Sequence, residues 1–124
     1  MPSQKKILLV DDSAITLMME RMILKDGHYN FILAKDGQEA IEKALREQPD
    51  LILMDVIMPK MNGFEACRRL RQVELTRSIP IIIVTSLGEN EDRQKGFESG
   101  CNDYIIKPLR STELLSKIKP YLED

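Results

Sequence analysis

With 124 residues, 43% of them hydrophobic, the chain has the size and apolar content of a single domain built around one core. Its formal charge of −2, with Lys and Arg interspersed among Asp and Glu, excludes the basic footprint of a nucleic-acid binder. No apolar run approaches the ~20 residues needed to cross a bilayer, and the N-terminal MPSQKK lacks a signal-peptide core, so neither a membrane partner nor export is expected.

Taken in chain order, short apolar runs alternate with amphipathic stretches. The run ILLV (7–10) predicts a first strand, too short for a helix and without the alternation of a half-exposed strand. Ile15, Met18, Met19, Met22 and Ile23 keep helical spacing, and Gly27 offers a stop. His28 stands alone and reads as an ordinary loop residue. FILA (31–34) predicts the second strand. Asp36 with Glu39 forms a capping-box pattern that opens a helix through about Arg46. LILM (51–54) is the third strand, and a helix is expected from Phe64 to about Val73. IIIV (81–84) is the fourth strand, followed by a helix from Asn90 to about Ser99, stopped by Gly100. YII (104–106) is the fifth. Ser111 or Thr112 can cap a last helix that Pro120 should bend or end. Most of the seven methionines read as core filler. Cys67 and Cys101 show no CxxC or metal spacing, so a disulfide framework is not expected and a reducing cytoplasm fits.

Five alternations of strand and helix call for an α/β fold: a doubly wound, five-stranded parallel sheet with helices on both faces. In such sheets ligands bind beyond the carboxyl ends of the strands. Asp11 and Asp12 follow the first strand there, Asp55 the third, Thr85 and Ser86 the fourth, and Lys107-Pro108 the fifth. Lys35 and Asp36, after the second, read as a turn and cap. Taken singly each residue is bland, since an Asp after a strand is usually a turn or cap residue. Together they place three carboxylates, two hydroxyls and an ammonium on one sheet edge. Three close carboxylates repel unless a cation intervenes, and magnesium prefers carboxylate and water oxygens. No imidazole or thiolate set is offered that zinc or copper would favour. Lys107 supplies a point charge for a phosphoryl oxygen and Thr85 a hydroxyl donor. Such a site suits phosphoryl transfer, with Asp55 as the nucleophile that forms an aspartyl phosphate.

In order along nearly the whole chain come Asp11-Asp12, then DVIMPKMNG with Asp55, Pro59 and Gly63, then Thr85-Ser86, then YIIKP with Tyr104, Lys107 and Pro108. In this the sequence resembles the response-regulator receiver domains of two-component signalling, in the size range of the single-domain chemotaxis regulator. The resemblance implies a flavodoxin-like fold with strand order 2-1-3-4-5 and one receiver domain over 1–124. It also implies that Asp55 accepts phosphate from a histidine kinase or histidine phosphotransfer protein. Asp12, Asp55 and the Ile57 carbonyl would bind Mg2+ directly, with Asp11 acting mainly through water. Lys107 and Thr85 would hold the phosphoryl oxygens. The bond before Pro108 is cis in the family. Thr85 would shift toward the phosphoryl group and Tyr104 would swing inward behind it, remodelling the face made by the fourth helix, fifth strand and fifth helix, where a downstream target docks. Pro59 would shape the loop. Ile57 and Leu87 flank the route of the attacking water in this family, and their apolar side chains imply slow hydrolysis. Small Ser86 leaves room for the donor. The expected protein is a cytoplasmic signalling domain rather than a turnover enzyme, a monomer able to dimerise on phosphorylation.

Four other readings compete. A flavin or nucleotide module would need a glycine-rich phosphate loop, and neither GxGxxG nor GxxxxGK[ST] is present. A haloacid-dehalogenase-like phosphatase resembles this chemistry but places its nucleophile after the first strand in a DxD pattern. A pseudo-receiver would bind partners without accepting phosphate. The chain can also be the receiver portion of a longer regulator with a DNA-binding or enzymatic output.

Overall fold

The computed structural model describes residues 4–122. Five strands, β1 (Lys6–Val10), β2 (Asn30–Ala34), β3 (Leu51–Met54), β4 (Ile81–Thr85) and β5 (Asp103–Ile106), form one sheet in the order β2-β1-β3-β4-β5. Every adjacent pair is parallel. The helices are α1 (Ala14–Leu24), α2 (Gly37–Glu47), α3 (Gly63–Gln72), α4 (Asn90–Ser99) and α5 (Ser111–Leu122), with a 3-10 turn at Lys25–Gly27.

The apolar runs are continuous because the central strands are buried on both faces. Leu8, Val10, Ile52, Met54, Ile81, Ile83 and Tyr104 point to one core, shared with Ala40 and Ala44 of α2 and Ala66, Cys67 and Leu70 of α3. Their neighbours Ile7, Leu9, Leu51, Leu53, Ile82, Val84 and Ile105 point to the other, shared with Leu17 and Leu24 of α1 and Leu114, Ile118 and Leu122 of α5. Each such leucine or isoleucine contributes about 1.5–3 kcal/mol over an exposed one. Three of them at i, i+4 and i+8 are therefore enough to seat α5.

Local chemistry sets the helix ends. Asp36 accepts from Glu39 N–H at 2.8 Å, and the Glu39 carboxylate accepts from Lys35 N–H at 2.8 Å, closing the expected box one residue upstream of the cap. Asn62 caps α3 through Glu65 N–H, and Gly100 ends α4 at φ 107°.

Four expectations need correction. Most of the apolar stripe chosen for α1 faces solvent: Ile15 is 67% exposed and Met22 61%, with Met18 and Met19 also outward, while Ile23 packs against the core. Leu17, Glu20 and Leu24 are the buried phase. Both phases keep helical spacing, and an acid on the inner one disguised it. The methionines accordingly divide: Met54 is buried, Met58 and Met61 lean on the core, and those of α1 do not. Met1 lies outside the described residues. After α1 it is His28, at φ 56°, rather than Gly27 that turns left-handed, with its N–H on Lys25 O. Finally, Leu114 N–H bonds to Arg110 O at 3.0 Å, so Ser111 and Thr112 are already helical, and α5 continues past Pro120 to Leu122. Pro120 lies in the last turn, where its missing N–H removes a single helical bond.

Candidate functional site

The parallel ladder continues one bond past the strands and thereby sets the site. Asp11 N–H bonds to Ala34 O at 3.0 Å, Asp55 N–H to Val10 O at 2.9 Å and Lys107 N–H to Thr85 O at 2.8 Å. Each residue's backbone is held by the end of a neighbouring strand, so three side chains from distant parts of the sequence start from one edge. The Lys107–Pro108 bond is cis.

Lys107 Nζ donates to Asp11 Oδ2 at 2.9 Å and to Asp55 Oδ2 at 3.2 Å. The remaining oxygens face backbone: Asp11 Oδ1 accepts from Ser13 N–H at 2.9 Å, and Asp55 Oδ1 from Val56 N–H at 2.7 Å. Asp11 and Asp55 are buried and Asp12 is exposed. One oxygen from each of the three carboxylates lies within 4.8 Å of the others. Burial pushes the Asp11 carboxyl above its ordinary value, the Ser13 amide and Lys107 pull it back, and the Asp55 charge adds to the rise. Burial also works against the Lys107 charge, but the hydrogen bond to Asp11 and the two carboxylate charges hold its ammonium above the usual lysine value. One ammonium against three carboxylates leaves the cluster short of positive charge. An all-oxygen, half-open donor set of this kind fits a hard divalent cation such as magnesium.

The loop after β3 is held tightly against Asp55. Gly63 N–H bonds to Val56 O at 3.0 Å, and a methyl at Gly63 would collide with the Asp55 carbonyl oxygen. Only glycine lets α3 start this close to the acid. Gly37 N–H reaches Met61 O at 3.2 Å, and Pro59 O accepts from Met61 N–H at 2.7 Å within the turn. Pro59 is exposed, and the Ile57 side chain is 56% exposed.

Thr85, Leu87 and Tyr104 make a second connected set. Thr85 is fully buried, and its Oγ1 receives Leu87 N–H at 3.4 Å, a long bond that faces the loop. Leu87 O accepts from the Tyr104 hydroxyl at 2.6 Å. Tyr104 is 1% exposed, so its ring lies inward, where the resemblance implied a ring that swings in. Burial pushes its hydroxyl up to about 12. Ser86 is exposed at the mouth of the site.

The structure therefore brings together Asp11, Asp12, Asp55 and Lys107, and links Thr85 to Tyr104 through the Leu87 backbone. Sequence reasoning missed Glu20. It is 2% exposed, and among the described residues its Oε1 is the buried side-chain oxygen without a hydrogen-bond partner. Burial and then the Asp11 charge push its carboxyl up to about 8, Lys107 draws it down, and Asp55 adds to the rise. Its spacing from Leu17 and Leu24 was the available signal.

A doubly wound parallel sheet with acids and a lysine on its carboxyl edge defines the class of phosphoryl-handling α/β switch domains. Residues 7–119 match the response regulator receiver domain family. The chain is 41% identical over 118 residues to the alkaline phosphatase synthesis transcriptional regulatory protein PhoP of Bacillus subtilis (strain 168), covering 95% of this chain and 48% of that protein. It is 42% identical over 120 residues to the transcriptional regulatory protein ResD of the same organism, covering 97% and 49%. Chemotaxis protein CheY4 of Vibrio cholerae superposes with a TM-score of 0.89 at 33% identity, covering 97% of this chain and all of that one. The receiver domain of sensor histidine kinase PA1611 from Pseudomonas aeruginosa PAO1, solved with magnesium in its active-site cleft, gives 0.88 at 33% identity over 96% and 98%. This chain belongs to the response regulator receiver domain family, the signalling domains of two-component systems. It spans about half the length of the two transcriptional regulators.

Proposed function

We propose that Asp55 is the phosphoacceptor of this receiver and that the chain takes its phosphoryl group from a histidine kinase or histidine phosphotransfer protein. The observation that carries the reading is Lys107 Nζ bridging Asp11 and Asp55 at the carboxyl edge of the sheet. An Asp55 carboxylate oxygen attacks phosphorus, the phosphorus–nitrogen bond to the donor histidine breaks, and its electron pair stays with the imidazole, which takes up a proton. Lys107 then exchanges its contact with Asp55 for one with a phosphoryl oxygen, keeping Asp11 as its anchor. The Thr85 hydroxyl, lightly held by Leu87 N–H, turns to donate to another. Asp11, Asp12, Asp55 and the Ile57 carbonyl would hold magnesium, which when bound neutralises charge on the transferring group. Release of Leu87 N–H by Thr85 alters the β4–α4 loop, and a target protein reads the change on the face made by α4, β5 and α5.

We read residues 1–124 as one receiver domain without turnover of an external substrate, acting in the cytoplasm as a monomer able to dimerise when phosphorylated. Two free, buried cysteines, both thiols held up by burial, accord with a reducing compartment. Whether the target is a separate protein or an output module belongs to the whole protein. The test is intact mass after incubation with magnesium and acetyl phosphate. One phosphoryl group is expected, and none with Asp55→Asn. An unchanged mass in the parent protein would instead favour a scaffold that binds partners without phosphate, and sustained phosphoester hydrolysis would favour a phosphatase.

A further inference from the structure

Glu20 takes no part in the phosphoryl chemistry described above, yet it sits beneath it. The alternation that sends Ile7, Leu9, Leu53 and Ile105 toward α1 and α5 carries on past the strand ends, so Asp11, Asp55 and Lys107 leave the sheet on that same face. Glu20 shares the inner side of α1 with Leu17 and Leu24, which cover that face. It is 2% exposed, and among the described residues no donor reaches its Oε1. The charges that act on it are Asp11, Lys107 and Asp55, from the ends of β1, β5 and β3. To the same core α5 presents Leu114, Ile118 and Leu122, and the 3-10 turn after α1 buries no residue. Asp11, Asp12 and Asp55 offer oxygens within 4.8 Å of one another, and Glu20 is not of that group. It therefore meets a cation there through charge rather than as a ligand.

Burial first, and then the Asp11 charge, push the Glu20 carboxyl up to about 8, so the neutral acid is its stable form beside the bare carboxylates. Three carboxylates against the Lys107 ammonium leave the site two negative charges over, the amount that one magnesium ion cancels. A cation bound there offsets the repulsion and attracts a carboxylate beneath it, so two reasons for keeping the proton weaken together. We propose that Glu20 is the charge-compensating acid of the magnesium site: it holds a proton while the three carboxylates stand without a cation and releases it when magnesium binds. The O–H bond breaks, its electron pair stays on the carboxylate, and the proton passes to bulk water. Linkage fixes the sign. Raising the pH favours ionised Glu20, ionised Glu20 favours magnesium, and affinity rises with pH. Occupancy of the site thereby becomes sensitive to pH in the neutral range, well above where exposed carboxylates titrate.

The inference rests on the reading of Asp11, Asp12 and Asp55 as a magnesium site, and the experiment separates the two. Infrared difference spectra follow the carbonyl stretch of a protonated carboxylic acid as magnesium chloride is added, against sodium chloride at matched ionic strength. At pH 7 the band is expected in the parent protein, is expected to fall on adding magnesium, and should be missing from both Glu20→Gln and Glu20→Leu. Magnesium titrations followed by amide NMR shifts give the affinities. The parent's affinity should rise severalfold from pH 6.5 to pH 8.5, below the limit of about tenfold per pH unit that one released proton sets. The two variants should change little over that range and converge with the parent at its acid end. An acid band that magnesium leaves unchanged, or the same pH dependence in the parent and both variants, overturns the inference while leaving the magnesium site in place. Amide shifts in the parent that do not move with magnesium remove the site, and the inference with it.

Discussion

Glu20 is an acid placed where leucine would fit, on the inner face of α1 among Leu17 and Leu24. Its carboxyl, ordinarily near 4.5, is pushed up to about 8, chiefly by burial. Between those values the folded chain holds a proton that the unfolded chain has released. Stability therefore falls as pH rises through that window, by an amount on the order of a few kcal/mol. Melting temperatures of the parent protein and Glu20→Gln should diverge from pH 5 to pH 8.5, with the glutamine variant declining less. Parallel curves would show that the acid is not strained by its surroundings. At the mouth of the site, Ile57 is exposed and Leu87 half-buried, and neither side chain can orient water. Replacing Ile57 by Asn and Leu87 by Glu should speed loss of phosphoryl label severalfold, at a stability cost of about 1 kcal/mol. Slower or unaltered decay in a pulse-chase would remove the hydrolysis role from both positions. The Tyr104 hydroxyl bonds to the Leu87 main-chain carbonyl, an acceptor that neither substitution removes.

Among the helices, α4 has the least holding it. Gly96 and Ser99 are its buried residues, whereas α5 buries Leu114, Ile118 and Leu122. Local opening free energy follows buried apolar contact. Amides of α4 should therefore exchange with deuterium at least tenfold faster than those of α5, on the order of a 1.4 kcal/mol difference in opening. Equal protection would mean that α4 is held more strongly than its two small buried residues suggest. Element by element, the strands were legible because a run buried on both faces has no competing pattern, and Asp36 and Gly100 announced their helix ends by residue type. The phase of α1 was not legible. Its outer face is as apolar as its inner one, and which face meets the sheet is decided by what β1 and α5 present. At the site, the strand exits named Asp11, Asp55 and Lys107 because topology alone carries them to one edge. The position of the Tyr104 ring was not legible, since its contacts are with the Leu87 carbonyl and Arg93, on other elements.

At the scale of the whole molecule, the reactive groups sit at the carboxyl edge of the sheet, where Asp11 and Asp55 are buried and Asp12 is exposed. Magnesium should raise the melting temperature saturably, as any ligand of the folded state does. Chelation should return it to the cation-free value with the fold intact, while abolishing mass gain from acetyl phosphate. Unfolding on chelation would mean that the cation is structural. No helix among the described residues is long and apolar enough to cross a membrane.

The extra rungs from Asp11, Asp55 and Lys107 to the ends of neighbouring strands carry a consequence for how such a chain can change over generations. A residue anchored through its main chain depends little on the side chains of the outer helix faces. Substitutions on the outer helix faces can then accumulate freely, while the three reactive groups keep their spacing. Inheritance of the chemistry is thereby uncoupled from inheritance of the partner. A single catalytic socket can be refitted to new donors and new outputs by resurfacing alone.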